Sequence, residues 1–235
     1  MGSLLKLKNA VALLGLFALV SIASAADEMP ETSPEGLVLI DSKELKYVYA
    51  RPGASLDQYT KVVLFDAYIA FRKNWDRDYN RNLIPGTTRV RPDDMEEIKA
   101  GLAEMFKSVF TEELQEKRGY EIVETAGLDV LAVKPALINL DITAPQLSNT
   151  SMDRTVVASA GQMTLFMELY DSTTGEIIAR VVDPAVDNRS GLAYRASSGT
   201  NKAAARKILR GWAATLGDHL GEVDAATTWE EEGGE

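Results

Sequence analysis

Residues Gln162–Asp183 read QMTLFMELYDSTTGEIIARVVD. Met163, Leu165, Met167 and Leu169 alternate with Gln162, Thr164, Phe166 and Glu168, the period-two pattern of a strand with one buried face. The segment Asp171-Ser172-Thr173-Thr174-Gly175 sets Asp early and Gly late, as a type I turn with a following left-handed residue wants. Ile177, Ala179 and Val181 resume the apolar face. The stretch predicts a hairpin, and with it a sheet that is apolar on one side and polar or partly covered on the other.

Other strands flank this hairpin. Lys61–Phe71 (KVVLFDAYIAF) reads as a buried strand, with Val63, Phe65, Ala67, Ile69 and Phe71 on one face and Val62, Leu64, Asp66 and Tyr68 on the other. In Asp129–Thr143, Ile138, Leu140 and Ile142 are expected inward and Asn139 and Asp141 outward, with Pro135 marking an edge or a bulge. Tyr120–Val123 and Leu37–Ile40 are shorter candidates. Two helices accompany them. Over Pro92–Arg118, Met95, Ile98, Leu102, Met105, Phe106, Val109, Phe110 and Leu114 recur at helical spacing, acids crowd the start, and Gly119 stops it. Over Asn201–Val223, Ile208, Leu209, Trp212, Leu216, Leu220 and Val223 do the same. The expected fold is α+β and two-layer, an antiparallel or mixed sheet of about five strands with two helices packed on one face.

The chain divides accordingly. Residues 1–25 carry Lys6 and Lys8, an apolar run and Ala23-Ser24-Ala25, the pattern of a cleavable signal peptide. Residues 26–36 (ADEMPETSPEG) read as a disordered lead-in, 37–225 as a single α+β domain, and 226–235 as a loose acidic tail. The implied location is the bacterial periplasm, with no integral membrane segment once the signal is removed. There is no Cys, so disulfides, thiolate metal sites and Cys nucleophiles are excluded. The formal net charge of −10 opposes binding to nucleic acid or an anionic membrane.

Little in the sequence speaks for catalysis. His219, the single His, sits beside Leu216 and Leu220 on a helical wheel and reads as a boundary-packed residue. No G-x-S-x-G elbow and no Gly-rich phosphate loop is present. Asp76–Asn82 begins like a calcium loop, but Arg81 and Thr87 stand where Gly and Glu are needed. No cofactor or metal is expected. Asp66, Asp141 and Glu168, on the more polar sheet face, offer the alternative of a carboxylate-based hydrolase.

Long polar loops are the more informative feature: Asn74–Arg91, Ala144–Ala160 and Pro184–Gly199. The first is basic in an acidic protein, with Arg72, Lys73, Arg77, Arg81, Arg89 and Arg91 interleaved with Trp75 and Tyr79. Arginine pairs with acids, and aromatic rings stack on sugars or cations. Trp75, Arg77, Tyr79, Arg81, Arg154 and Tyr194 are therefore the expected partner contacts. The expected partner is an envelope protein, a glycan or a second copy of the chain. A structural domain that pairs through an exposed sheet edge is a further alternative.

Tyr49–Val62 (YARPGASLDQYTKV) resembles the start of a bacterial envelope family, the domain of unknown function family 3313. Trp75 and the Thr174-Gly175-Glu176 turn continue the likeness, which spans Leu37–Val223. The resemblance brings no catalytic residues; the signal peptide, the missing catalytic set and the three long polar loops together lead to the expectation of a non-enzymatic binding or envelope-assembly module. Many members of that family are lipoproteins, whereas this chain has no Cys to carry a lipid. The element order also looks like that of the TolB N-terminal domain or the periplasmic part of the curli secretion channel.

Overall fold

The computed structural model describes residues 29–83, 88–143, 145, 155–157, 161–187, 194–196 and 198–221. The chain divides into two units, Met1–Pro30 and Glu31–Glu235, and the fold lies in the second. Its elements are β1 (Val38–Ile40), β2 (Tyr47–Ala50), β3 (Lys61–Leu64), β4 (Tyr68–Phe71), α1 (Trp75–Arg81), α2 (Pro92–Thr111), β5 (Glu121–Ile122), β6 (Val130–Ile142), β7 (Thr155–Val157), β8 (Gly161–Asp171), β9 (Ile177–Val186), β10 (Tyr194–Ala196) and α3 (Ser198–Gly221).

The fold class is α+β, with a mixed sheet of eight strands rather than about five. Their order is β1-β2-β9-β8-β6-β3-β5, and β4 also lies beside β6. The hairpin β8–β9 forms where its alternation predicts it, from Gln162↔Val186 to Tyr170↔Ile177. Met163, Leu165, Met167, Leu169, Ala179 and Val181 are all buried in one cluster with Leu102, Phe106, Val109 and Phe110 of α2 and Leu209, Trp212, Leu216 and Leu220 of α3. The short candidates at Leu37–Ile40 and Tyr120–Val123 form as β1 and β5, while β2 is too brief to show a period and Lys61–Phe71 divides into β3 and β4 rather than forming one strand.

Three register shifts move the apolar phase away from the expected one, and the one in the hairpin, between Leu169 and Tyr170, puts Ile178 in the central cluster where Ile177 was expected. β3 and β4 both run parallel to β6, with Leu64 opposite Val133 and Tyr68 opposite Ala136. Four residues on one side thus span three on the other, so Phe65–Ala67 holds one residue too many. Val62 and Leu64 face the core before the bulge and Ile69 after it, while Phe65 and Tyr68 are 51% and 64% exposed. The expected face with Val63 and Phe65 inward is therefore wrong. On β6, Asn139 adopts a left-handed φ of 54° and absorbs an extra residue, so Leu137 and Leu140 are the buried pair rather than Ile138 and Leu140.

Pro135 lies in a central strand, not at an edge. Val133 presents its carbonyl to Phe65 N at 3.0 Å, so position 135 faces the same neighbour, where the chain bulges. A residue without an N–H fits there because no ladder bond is called for.

α2 begins with Pro92 at its first position, where a missing N–H costs nothing. Asp94 accepts from Arg91 N at 2.9 Å. A π-helical turn, Glu112–Glu116, continues α2, and Gly119, at φ 76°, ends it. Glu113 in that turn is buried and is paired by Lys117, by Arg118 at 3.4 Å and by Arg210 of α3 at 4.0 Å.

The predicted disordered lead-in is ordered from Glu31 onward. Leu39 N donates to Glu31 O at 2.8 Å and Ser33 N to Leu37 O at 2.8 Å, so this segment pairs along the outer edge of β1. Gly36, at φ 81°, makes the turn between them. Glu35 accepts twice from Arg180, at 2.9 and 3.0 Å, and Leu37 is fully buried. The Pro- and acid-rich composition misled because one charge-assisted fork and one buried Leu suffice to order a short turn.

Candidate functional site

Strand directions bring the three polar loops to one end of the sheet. β4 and β6 are parallel, β8 is antiparallel to β6, and β9 is antiparallel to β8. The segments after β4, between β6 and β8, and after β9 therefore leave from the same end. The second and third also meet, because β7 and β10 pair antiparallel with Tyr194 opposite Val157. α2 and α3 follow the first and third loops, so both start at this end as well.

The first segment is not a structureless loop, since it contains α1. Asn74 enters it at φ 61°, a left-handed conformation that Asn tolerates. Trp75 is only 1% exposed, stacked between Phe71 at 4.3 Å and Tyr79 at 5.6 Å, and its indole N–H donates to Ile142 O at 3.3 Å. Burial removes Trp75 from the expected contacts: its ring anchors α1 to the end of β6. Asn80 clamps the chain further on, donating to Val90 O at 2.9 Å and accepting from Val90 N at 2.8 Å.

The cations divide into two groups. Arg72 bridges Asp141 at 2.6 Å and Asp78 at 2.9 Å, and its guanidinium holds the Asp78 carboxyl below its usual range. Arg77 reaches Asp78 at 3.3 Å but is more than half exposed. Lys73, Arg81 and Arg89 are exposed and bond to no described residue. Arg77 and Arg81 are one helical turn apart on α1, and the Asn80 clamp sets Arg89 and Arg91 beside them. Arg154 lies outside the described residues, and Tyr194 is placed in β10.

A cleft of about 700 Å³ opens between α2 and α3. Its floor is apolar, formed by Ile98, Leu102 and Met105 of α2, Leu140, Ile142 and Met163 of the sheet, and Ala205 and Ile208 of α3. Glu97 and Glu104 stand along the α2 side, and Lys202 and Arg206 along the α3 side. Sequence reasoning treated Ile98, Met105 and Ile208 as core. Their partial exposure was the missing signal, and a helical pattern alone does not report it.

The three carboxylates of the hydrolase alternative are not brought together. Asp66 pairs with Lys107 at 3.0 Å and Asp141 with Arg72. Glu168 pairs with Arg180 at 2.7 Å and accepts from Tyr170 at 2.7 Å. Asp141 lies opposite Gln162 and Glu168 opposite Lys134, about 20 Å apart along the strands. Among the described residues no group of three His, Cys, Asp or Glu side chains could hold a metal ion, and no helix is long and apolar enough to cross a membrane.

The model of a family described as protein of unknown function, DUF3313, matches residues 40–216. No curated protein matches the chain. Similar solved structures include a PelC dodecamer from Paraburkholderia phytofirmans, 13% identical, covering 71% of this chain and 96% of that one at a TM-score of 0.32. A Xanthomonas campestris protein is 14% identical, with 73% and 89% covered and a TM-score of 0.35. A neuraminyllactose-binding hemagglutinin homolog from Helicobacter pylori is 9% identical, with 72% and 87% covered and a TM-score of 0.33.

Proposed function

The chain belongs to the DUF3313 family of proteins of unknown function, and we propose from this premise that it is a non-enzymatic binding module of the bacterial envelope, exported to the periplasm, that holds its partner at the loop end of the sheet. The observation that carries the reading is the open apolar cleft at that end, with a rim of charged side chains that bond to no described residue. Buried apolar surface is where a binding partner gains most free energy, and unpaired charges around it set orientation. The exposed cations of α1, Arg77 and Arg81, follow β4 at the same end of the sheet.

A photo-crosslinking residue placed at Arg206 or Arg81, in cells that export the full chain, is expected to trap a partner. The same residue at Gln58 or Glu121, at the opposite end of the sheet, is expected to trap none. Adducts of equal yield from both ends overturn the reading.

A further inference from the structure

The groove between α2 and α3 has three properties that together define its occupant. Its floor is set by Ile98 and Met105 on one helix, Ile208 on the other and Met163 beneath. Met side chains adapt to irregular apolar partners and are favoured at binding surfaces. Its two rims carry opposite charge: Glu97 and Glu104 lie two turns apart on α2, and Lys202 and Arg206 one turn apart on α3. None of these four side chains bonds to a described residue.

Gly101 is the third property. It lies in the interior of α2 and lines the groove, and no described atom outside its own stretch of helix lies within 4 Å of where a Cβ would stand. Packing within the chain does not call for glycine there, and in a helix interior glycine is unfavourable by about 1 kcal/mol relative to Ala. At the groove it leaves the α2 backbone open to close approach.

We infer that this groove docks an amphipathic helix of a partner protein, with its apolar face on the Ile/Met floor, its basic flank along Glu97 and Glu104, and its acidic flank along Lys202 and Arg206. The inference rests on the binding-module reading above. A helix laid in a groove presents apolar anchors at three- and four-residue spacing, with polar flanks on both sides of them. That matches a floor lying between two rims of opposite sign. A single-chain anionic amphiphile would satisfy only the α3 rim and would meet repulsion from Glu97 and Glu104. Gly101 lies between Glu97 and Glu104 in the sequence of α2, so the incoming helix approaches the α2 backbone most closely between the two acids of that rim.

The test is a phage-displayed library of helical peptides of roughly 18 residues, about five turns, panned against the full chain. Selected peptides are expected to share an apolar face with basic residues on one flank and acidic residues on the other. Gly101→Leu is expected to weaken them about tenfold, the equivalent of about 1.4 kcal/mol, while the thermal midpoint holds or rises. The double change Lys202→Glu with Arg206→Glu is expected to turn the acidic flank of newly selected peptides basic. No enrichment, or peptides that bind Gly101→Leu as tightly as the parent chain, overturns the inference. So does an acyl chain retained by the purified protein in native mass spectrometry, or a dimer abolished by Gly101→Leu. If crosslinks from Arg206 persist while the library yields nothing, the helix is wrong and the loop-end reading stands; if both fail, both fall.

Discussion

Tyr59 donates its phenolic hydroxyl to Asp171 Oδ2 at 2.9 Å, across 112 positions of sequence. Beside this bond, Arg51 donates from Nε to Ile177 O at 2.8 Å and pairs with Glu176 at 3.1 Å. The Tyr49–Val62 stretch and the Thr-Gly-Glu turn, which carry the family resemblance separately, are thus two halves of one contact. Asp171 also accepts from the backbone and hydroxyl groups of Thr173 and Thr174, which holds its carboxyl far below the usual range. The motif is a clasp that closes the end of the sheet opposite the cleft.

Tyr59→Phe removes one donor while Asp171 keeps four others. The expected cost is about 1 kcal/mol, typical of a hydrogen bond to a charged group that stays partly solvated. Urea unfolding should show a lower midpoint with an unchanged slope. A loss greater than about 3 kcal/mol would mean that the ring's packing, and not the hydroxyl, changed.

Acid should weaken the fold in a defined window. Arg180 holds the Glu35 carboxyl at about 2, against a usual value of 4.5. A carboxyl depressed in the folded state contributes stability that is present above about 4.5 and lost as pH falls toward 2. Asp171 acts in the same direction. On the alkaline side, burial and the bond to Asp171 push Tyr59 up to about 12, so its contribution is complete below its usual 10 and is lost as pH rises toward 12. Thermal midpoints measured from pH 6 to 2 should fall, and Glu35→Gln should make that fall shallower.

Two glycines should answer substitution in opposite ways. A Cβ on Gly161 would overlap the carbonyl oxygen of Asp141 in the paired strand, so Gly161→Ala should cost about 2 kcal/mol or more. Gly101→Ala meets nothing and should stabilise by up to about 1 kcal/mol through helix propensity. Circular dichroism melts of the two variants give the comparison directly.

Trp75→Ala should destabilise by about 3–5 kcal/mol, since it empties the stack between Phe71 and Tyr79. Arg81→Ala should change stability by no more than about 0.5 kcal/mol, because the side chain is exposed and unpaired. Denaturant titration separates the two, and with them the anchor of α1 from its outward surface.

Legibility in the sequence followed the length of the pattern. The hairpin and both long helices show several periods each, so alternation and helical spacing found Leu165, Val181, Phe106 and Leu216 in the core. A single inserted residue defeats the same reading: Phe65 and Ile138 were misplaced because nothing in the apolar pattern marks where the phase slips. The basic loop was legible as composition, but the burial of Trp75 depends on Phe71, Ile142 and Val90, which no local window contains. The cleft was illegible for a similar reason. Ile98, Met163 and Ile208 belong to three distant elements, and each alone reads as core.

The strip Glu31–Ser33 makes the point at which the N-terminus is shortened physically consequential. It occupies outer hydrogen-bonding groups at β1, whose Val38 and Ile40 side chains remain exposed. A protease that cuts before Glu31 leaves a closed border. One that cuts after Leu37 removes both the strip and the Glu35 fork, and exposes a bare strand ready to recruit another chain. Solubility of N-terminally shortened variants should therefore change abruptly over a few residues of length, with aggregation setting in once Glu35 is lost.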